Sequence, residues 1–143
     1  MRIFLTAIAF SLFAVLAPVE KADAAAVVAK VDLSSQRMHV YVHGKRRYSW
    51  PVSTGRKGYR TPTGSYSVKR SHKMWYSRKY NNSPMPYSLF FRGGYAVHGT
   101  NYVSKLGRTA SHGCIRLHTS NARALYNLSR KYGGGNTRIV IRR

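Results

Sequence analysis

The sequence predicts a mainly β domain carrying a single α-helix, and three observations lead there. Short segments with alternating apolar residues recur between positions 27 and 98, clusters of Gly, Pro and Ser separate them, and one segment alone, 120–132, repeats its apolar residues at helical spacing. A chain of 143 residues accommodates one such domain.

A first strand is expected over 27–33, closed by Ser34, Ser35 and Gln36. Residues 37–43 alternate cleanly, with Met38, Val40 and Val42 on one face and Arg37, His39, Tyr41 and His43 on the other. His39 and His43 are therefore read as exposed strand residues. Gly44 marks a turn. Tyr48, Trp50 and Val52 alternate in a third strand, which Pro51 places at an edge or a strand end. Residues 53–64 hold three glycines and a proline and read as loop, and Tyr66 and Val68 give a fourth strand. The polar, aromatic stretch 71–86 is read as a surface excursion, either a cleft wall that stacks on substrate or an ordinary loop, with His72 at the surface. Strands over 87–91 and 95–98 flank Gly93-Gly94. Ser120 is expected to cap the helix, Leu125, Leu128 and Tyr132 to form its apolar stripe, and Gly133-Gly134-Gly135 to end it. A last strand follows over 137–141.

The first 24 residues stand apart. Arg2 gives a positive start, 3–17 is nearly all apolar, and Ala22-Asp23-Ala24 is a small-x-small cleavage pattern. This reads as a secretory signal peptide over 1–24 ahead of one domain over 25–143, an apolar run too short to stay as a membrane span. No stable membrane insertion is expected, and the expected location is outside the cytoplasm, in the periplasm or cell wall.

The charge balance is extreme: Lys and Arg total 25 against 3 acids, for a net +22. Glu20 and Asp23 lie in the leader, which leaves Asp32 as the one carboxylate side chain beyond it. That excludes a paired-carboxylate glycosidase and a carboxylate-built calcium or magnesium site. It also implies that whatever orients a catalytic histidine here is not a carboxylate. Such a chain seeks anionic partners; for an exported protein these are envelope polymers, and nucleic acid is not expected.

The one cysteine, Cys114, sits in Ser111-His112-Gly113-Cys114-Ile115-Arg116-Leu117, shortly after His98-Gly99-Thr100. In an oxidising compartment a lone cysteine has no internal partner, and a retained free thiol is either buried and inert or kept for reactivity. A thiol flanked by imidazoles in sequence is a candidate nucleophile with its base. Basic surroundings and an imidazole partner predict a thiol partly ionised below its free value of about 8.5. His98, His112, Cys114 and His118 could alternatively form a Cys/His zinc site, although their spacing matches no known finger; no metal or other cofactor is expected.

These strings, with Thr61-Pro62-Thr63-Gly64, Met85-Pro86-Tyr87 and the approach Gly93 to His98, resemble the L,D-transpeptidase catalytic domain family, cysteine enzymes that remodel bacterial peptidoglycan. Arg116 stands where many members carry Asn, and the spacer between His98 and Ser111 is short for the family. The resemblance implies a mixed, mostly antiparallel β-sandwich with one packed α-helix. It implies Cys114 as nucleophile, His98 as its base, the Gly99 carbonyl as the group that orients His98, and His112 in support. The backbone N–H groups of Gly113 and Cys114 are expected as oxyanion donors. Arg116 offers a fork of donors for a substrate carboxylate, and Ser111 and Tyr87 are expected to bind substrate. The implied partners are peptidoglycan stem peptides, with another stem, an envelope protein, a free D-amino acid or water as acyl acceptor. The competing reading is a non-catalytic basic module that binds anionic envelope polymer or nucleic acid.

Overall fold

The computed structural model describes residues 24–143, so the leader expected over 1–24 lies, but for Ala24, outside the described residues. Nine strands and one α-helix follow among the described residues: β1 (Val27–Asp32), β2 (Arg37–Val42), β3 (Lys45–Pro51), β4 (Gly64–Ser67), β5 (Arg70–Ser77), β6 (Ser83–Arg92), β7 (Tyr95–Thr100), β8 (Ile115–His118), α1 (Thr119–Tyr132) and β9 (Thr137–Arg142). They form two sheets, one ordered β3-β2-β1-β9-β4 and the other β5-β6-β7-β8. Only β1–β9 and β7–β8 run parallel. The chain is thus the expected mixed, mostly antiparallel sandwich with one packed helix.

Period-two alternation builds the core. Val27, Ala29 and Val31 of β1, Met38 and Val40 of β2, and Ile139 and Ile141 of β9 point inward, and meet Leu89 and Phe91 of β6, Val97 of β7, and Ile115 and Leu117 of β8. The helix lies against β6, β7 and β8 and adds Ala122 and Leu125 to the same cluster. This arrangement consumes one face of the second sheet. The opposite face of β7 and β8 is left for the polar residues between Val97, Ile115 and Leu117, namely His98, Cys114 and Arg116.

Three expectations need correction. The stretch 71–86 is not a loop but most of a long hairpin, β5 with the start of β6, turned by Arg78–Tyr80 and by Asn81 and Asn82, both in left-handed backbone. It lacks a readable alternation because its strands lie largely exposed. His72 is half-buried rather than at the surface, its ring against Trp75 and Phe90 at 4.7 and 5.9 Å. The helix cap is His118, whose Nδ1 accepts the Ser120 N–H at 3.2 Å; Ser120 lies inside the first turn. Gly133 ends the helix at φ 92, its N–H on the Ser129 carbonyl.

Candidate active site

The parallel register of β7 and β8 fixes the site. His98 and Arg116 are direct partners across the two strands, as are Val97 and Ile115. Continuing the register one residue back puts Cys114 opposite Ala96. Side chains at paired positions share a face, so Cys114, His98 and Arg116 emerge together on the face away from the core. Cys114 packs against a small separate cluster of Met85, Phe90, Ala96 and Trp75. Tyr87, at φ 54, interrupts the β5–β6 ladder, and the hairpin beyond it brings Trp75 and Met85 onto that cluster.

His98 is 6% exposed, and its Nδ1 lies 2.7 Å from the Gly99 carbonyl oxygen. A carbonyl only accepts, so Nδ1 carries the hydrogen and Nε2 keeps its lone pair. Burial, with a smaller push from Arg116, lowers His98 to about 4, although the Gly99 bond opposes the shift. Gly99 itself allows no side chain: a Cβ there would sit 2.9 Å from Thr119 Oγ1 and 3.1 Å from a Pro86 carbon. The Cys114 thiol donates to the Gly94 carbonyl at 3.7 Å. Burial raises it above its ordinary value, with the Ala96 N–H and the Arg116 charge opposing. Burial thus favours the protonated thiol, against the part-ionised thiol expected from its basic surroundings, because desolvation outweighs the neighbouring charges. A thiol and a neutral imidazole with a free Nε2, on one face of neighbouring strands, are groups between which a proton can pass.

The loop that presents the thiol is held from below. Ser111 is fully buried; its Oγ donates to the Cys114 carbonyl at 2.6 Å and accepts the Gly113 N–H at 3.0 Å, and its backbone pairs with Thr54 and Arg56. Two expectations fall with that hydroxyl. Ser111 is a brace of the loop rather than a substrate contact, and the Gly113 N–H is already engaged and is no free oxyanion donor. Gly113 has φ +120, and a Cβ would lie 2.6 Å from Tyr95 Cε1, so both backbone and packing require glycine. Tyr87 also departs from expectation: it packs on the core side, ring to ring with Tyr126 of α1 at 5.6 Å, away from the thiol's face.

Arg116 is half-buried, its guanidinium 5.9 Å from the Tyr102 ring centroid, and its backbone N–H and carbonyl are both bonded to Ser53. His112 is held by rings rather than hydrogen bonds: it stacks on Tyr80 of the hairpin tip at 4.1 Å and 10°, and meets Tyr59 edge-on at 4.8 Å. Partial burial lowers its pKa, helped by Arg56, Arg116 and Lys79. His118 is committed to the helix cap. Among the described residues no group of three or more His, Cys, Asp or Glu is placed to hold a metal.

Several supporting residues escape a reading of the sequence. Thr61 Oγ1 accepts the Gly55 N–H at 2.9 Å and donates to the Gly113 carbonyl at 2.8 Å, from a position 2% exposed. Gln36, at φ 52, holds Thr54 through both ends of its amide. The Thr-Pro-Thr-Gly string marks Thr61 as a turn but says nothing of a partner 52 residues away. Two grooves open on the far side of the loop, one of about 460 Å³ lined by Arg60, Thr63, Ser65, Arg142 and Arg143, the other of about 300 Å³ lined by Gln36, Thr54, Arg60, Thr61 and Arg143.

A buried, tautomer-fixed imidazole beside a braced thiol, at the edge of a two-sheet sandwich, is equipment for nucleophilic acyl transfer. The chain belongs to the YkuD family of L,D-transpeptidase catalytic domains, whose family model matches residues 26–141. It is 24% identical over 102 residues to the YkuD protein of Bacillus licheniformis, covering 68% of this chain and 57% of that protein. The chain thus spans little more than half of that relative's length. The L,D-transpeptidase from Xylanimonas cellulosilytica superposes with a TM-score of 0.70 at 28% identity, over 83% of this chain and 61% of the other. L,D-transpeptidase 3 from Mycobacterium tuberculosis, seen with a faropenem-derived adduct, shares the fold with a TM-score of 0.70 at 23% identity, over 82% and 60%.

Proposed function

We propose that this protein is an exported L,D-transpeptidase that acts on tetrapeptide stems of peptidoglycan, in the periplasm or cell wall, and so contributes to cell-wall biogenesis. The observation that carries the reading is the placing of Cys114 and His98 on one face of adjacent parallel strands, with His98 Nδ1 bound to the Gly99 carbonyl. His98 Nε2 takes the thiol proton as Sγ attacks the carbonyl between the diamino acid and the terminal D-alanine. The developing oxyanion is met by the Cys114 N–H. When the intermediate collapses, the amine of D-alanine takes the proton from His98 and leaves, and a thioester remains. An acceptor amine then attacks the thioester, gives its proton to His98, and releases the thiol, which recovers that proton. With water as acceptor the same steps make a carboxypeptidase. Arg116, on the thiol's face, supplies a fork for a substrate carboxylate. The faropenem-derived adduct of the M. tuberculosis relative supports the reading, since a penem also presents a reactive carbonyl beside a carboxylate.

The basic surface is assigned to anionic envelope polymers. The experiment that tests the function is incubation with purified muropeptide tetrapeptides and mass analysis of the products. Crosslinked dimers or released D-alanine, lost in Cys114→Ala, support it. Unchanged substrate in the presence of active thiol refutes it.

A further inference from the structure

We infer that Thr61 is a positioning residue for the acyl-transfer step proposed above, setting the direction of the Cys114 N–H through the peptide bond between Gly113 and Cys114. The inference rests on that proposed reaction and on four contacts. The Gly113 carbonyl accepts from Thr61 Oγ1 at 2.8 Å, and that oxygen is itself fixed by the Gly55 N–H at 2.9 Å. The one hydrogen of the Thr61 hydroxyl is thus aimed at Gly113. In a trans peptide the C=O and the following N–H point in opposite directions. Pinning the Gly113 carbonyl toward buried Thr61 therefore turns the Cys114 N–H the opposite way, away from the interior.

The neighbouring amide cannot substitute. The Gly113 N–H is held by Ser111 Oγ, which also ties down the Cys114 carbonyl. Of the two loop amides expected to serve an oxyanion, only that of Cys114 lacks a hydrogen-bond partner among the described residues. Gly113 needs such a clamp. At φ +120 its own conformation is one that glycine leaves freely, since it carries no side chain to anchor it. Without the Thr61 hydroxyl, rotation of the peptide plane would re-aim the amide while leaving the sulfur in place.

That separation supplies the test. Acylation by faropenem passes through a tetrahedral oxyanion, whereas alkylation by iodoacetamide displaces iodide at carbon and forms none. Both rates are measured by intact-protein mass spectrometry on wild type, Thr61→Val and Thr61→Ser, with thermal melts alongside. The expected result is that Thr61→Val slows acylation by about 10²-fold, the effect of losing one oxyanion donor, leaves alkylation unchanged, and that Thr61→Ser restores acylation. Equal acylation of Thr61→Val and wild type overturns the inference, as does a parallel loss of acylation and alkylation, which would make Thr61 a support of the fold alone. If Thr61→Val does not fold, Thr61→Ala carries the same comparison. A wild type that iodoacetamide alkylates but that neither faropenem nor tetrapeptide stem acylates refutes the proposed function and this inference with it. A wild type that is acylated, with Thr61→Val acylated just as fast, refutes the inference alone.

Discussion

Acid should weaken this fold through His98, and the size of the effect follows from its surroundings. The folded protein holds His98 at about 4, against 6.5 for an unperturbed side chain. As pH falls through 6.5, the unfolded chain takes a proton at this position and the folded one does not. Stability from this group is therefore complete above pH 6.5, declines between 6.5 and about 4, and changes no further below. A gap of about 2.5 pH units at about 1.4 kcal/mol each gives a loss of about 3 kcal/mol across that window. Urea unfolding at a series of pH values, for wild type and His98→Gln, isolates the contribution. His112, whose pKa is also lowered, is present in both proteins and cancels. Wild type should lose about 3 kcal/mol more than His98→Gln between pH 6.5 and 4. The acid limb of kcat/KM should fall near 4 rather than near 6.5. Parallel stability curves for the two proteins, or a ring titration of His98 near 6.5, would refute the argument.

Cys114→Ala should abolish crosslinking and D-alanine release on tetrapeptide stems while leaving the melting curve close to wild type, since the thiol's hydrogen bond to the Gly94 carbonyl, at 3.7 Å, is long and weak. His98→Ala should slow single-turnover acylation by about 10²–10⁴-fold, as expected for a lost proton-transfer group, and more than His112→Ala, whose ring is held by Tyr80 and Tyr59. Gly113→Ala should cost about 2–4 kcal/mol in urea unfolding, combining a left-handed backbone with overpacking against Tyr95. Binding to intact sacculi should weaken steeply with salt, since screening shortens the reach of exposed charge from about 10 Å at 0.1 M to about 3 Å at 1 M. Arg60→Glu with Arg142→Glu should weaken it further in a sedimentation assay.

The legible parts of this protein are those written in local pattern. The alternation of Val27, Ala29 and Val31, or of Met38, Val40 and Val42, locates strands because one face of each is buried. Cys114 and His98 stand out because thiol and imidazole are rare and chemically specific. The strand over 87–91 is legible, whereas β5 and the start of β6 are not, since strands exposed on much of their surface need no alternation. Nor could sequence reveal that the Ser111 hydroxyl turns inward, or that Tyr87 faces the helix. Both depend on backbone direction at a single residue, and side-chain chemistry does not encode it. The upward push of burial on the thiol is hidden for a related reason: composition counts charges but not the depth at which the sulfur lies.

The place of β9 has a consequence for how the protein is made. This last strand inserts between β1 and β4, pairing in parallel with a strand more than a hundred residues earlier in the chain. Until β9 has been made, β1 can pair with β2 on one side only, and its other edge presents unpaired amides and carbonyls. The sheet closes only once β9 joins β1, so much of the folding barrier is the entropy of bringing two distant strands together. Throughout that interval, the open edge of β1 offers a template for any extended segment nearby. The dense positive charge of the chain, which sets nascent copies in mutual repulsion, guards that edge until β9 arrives.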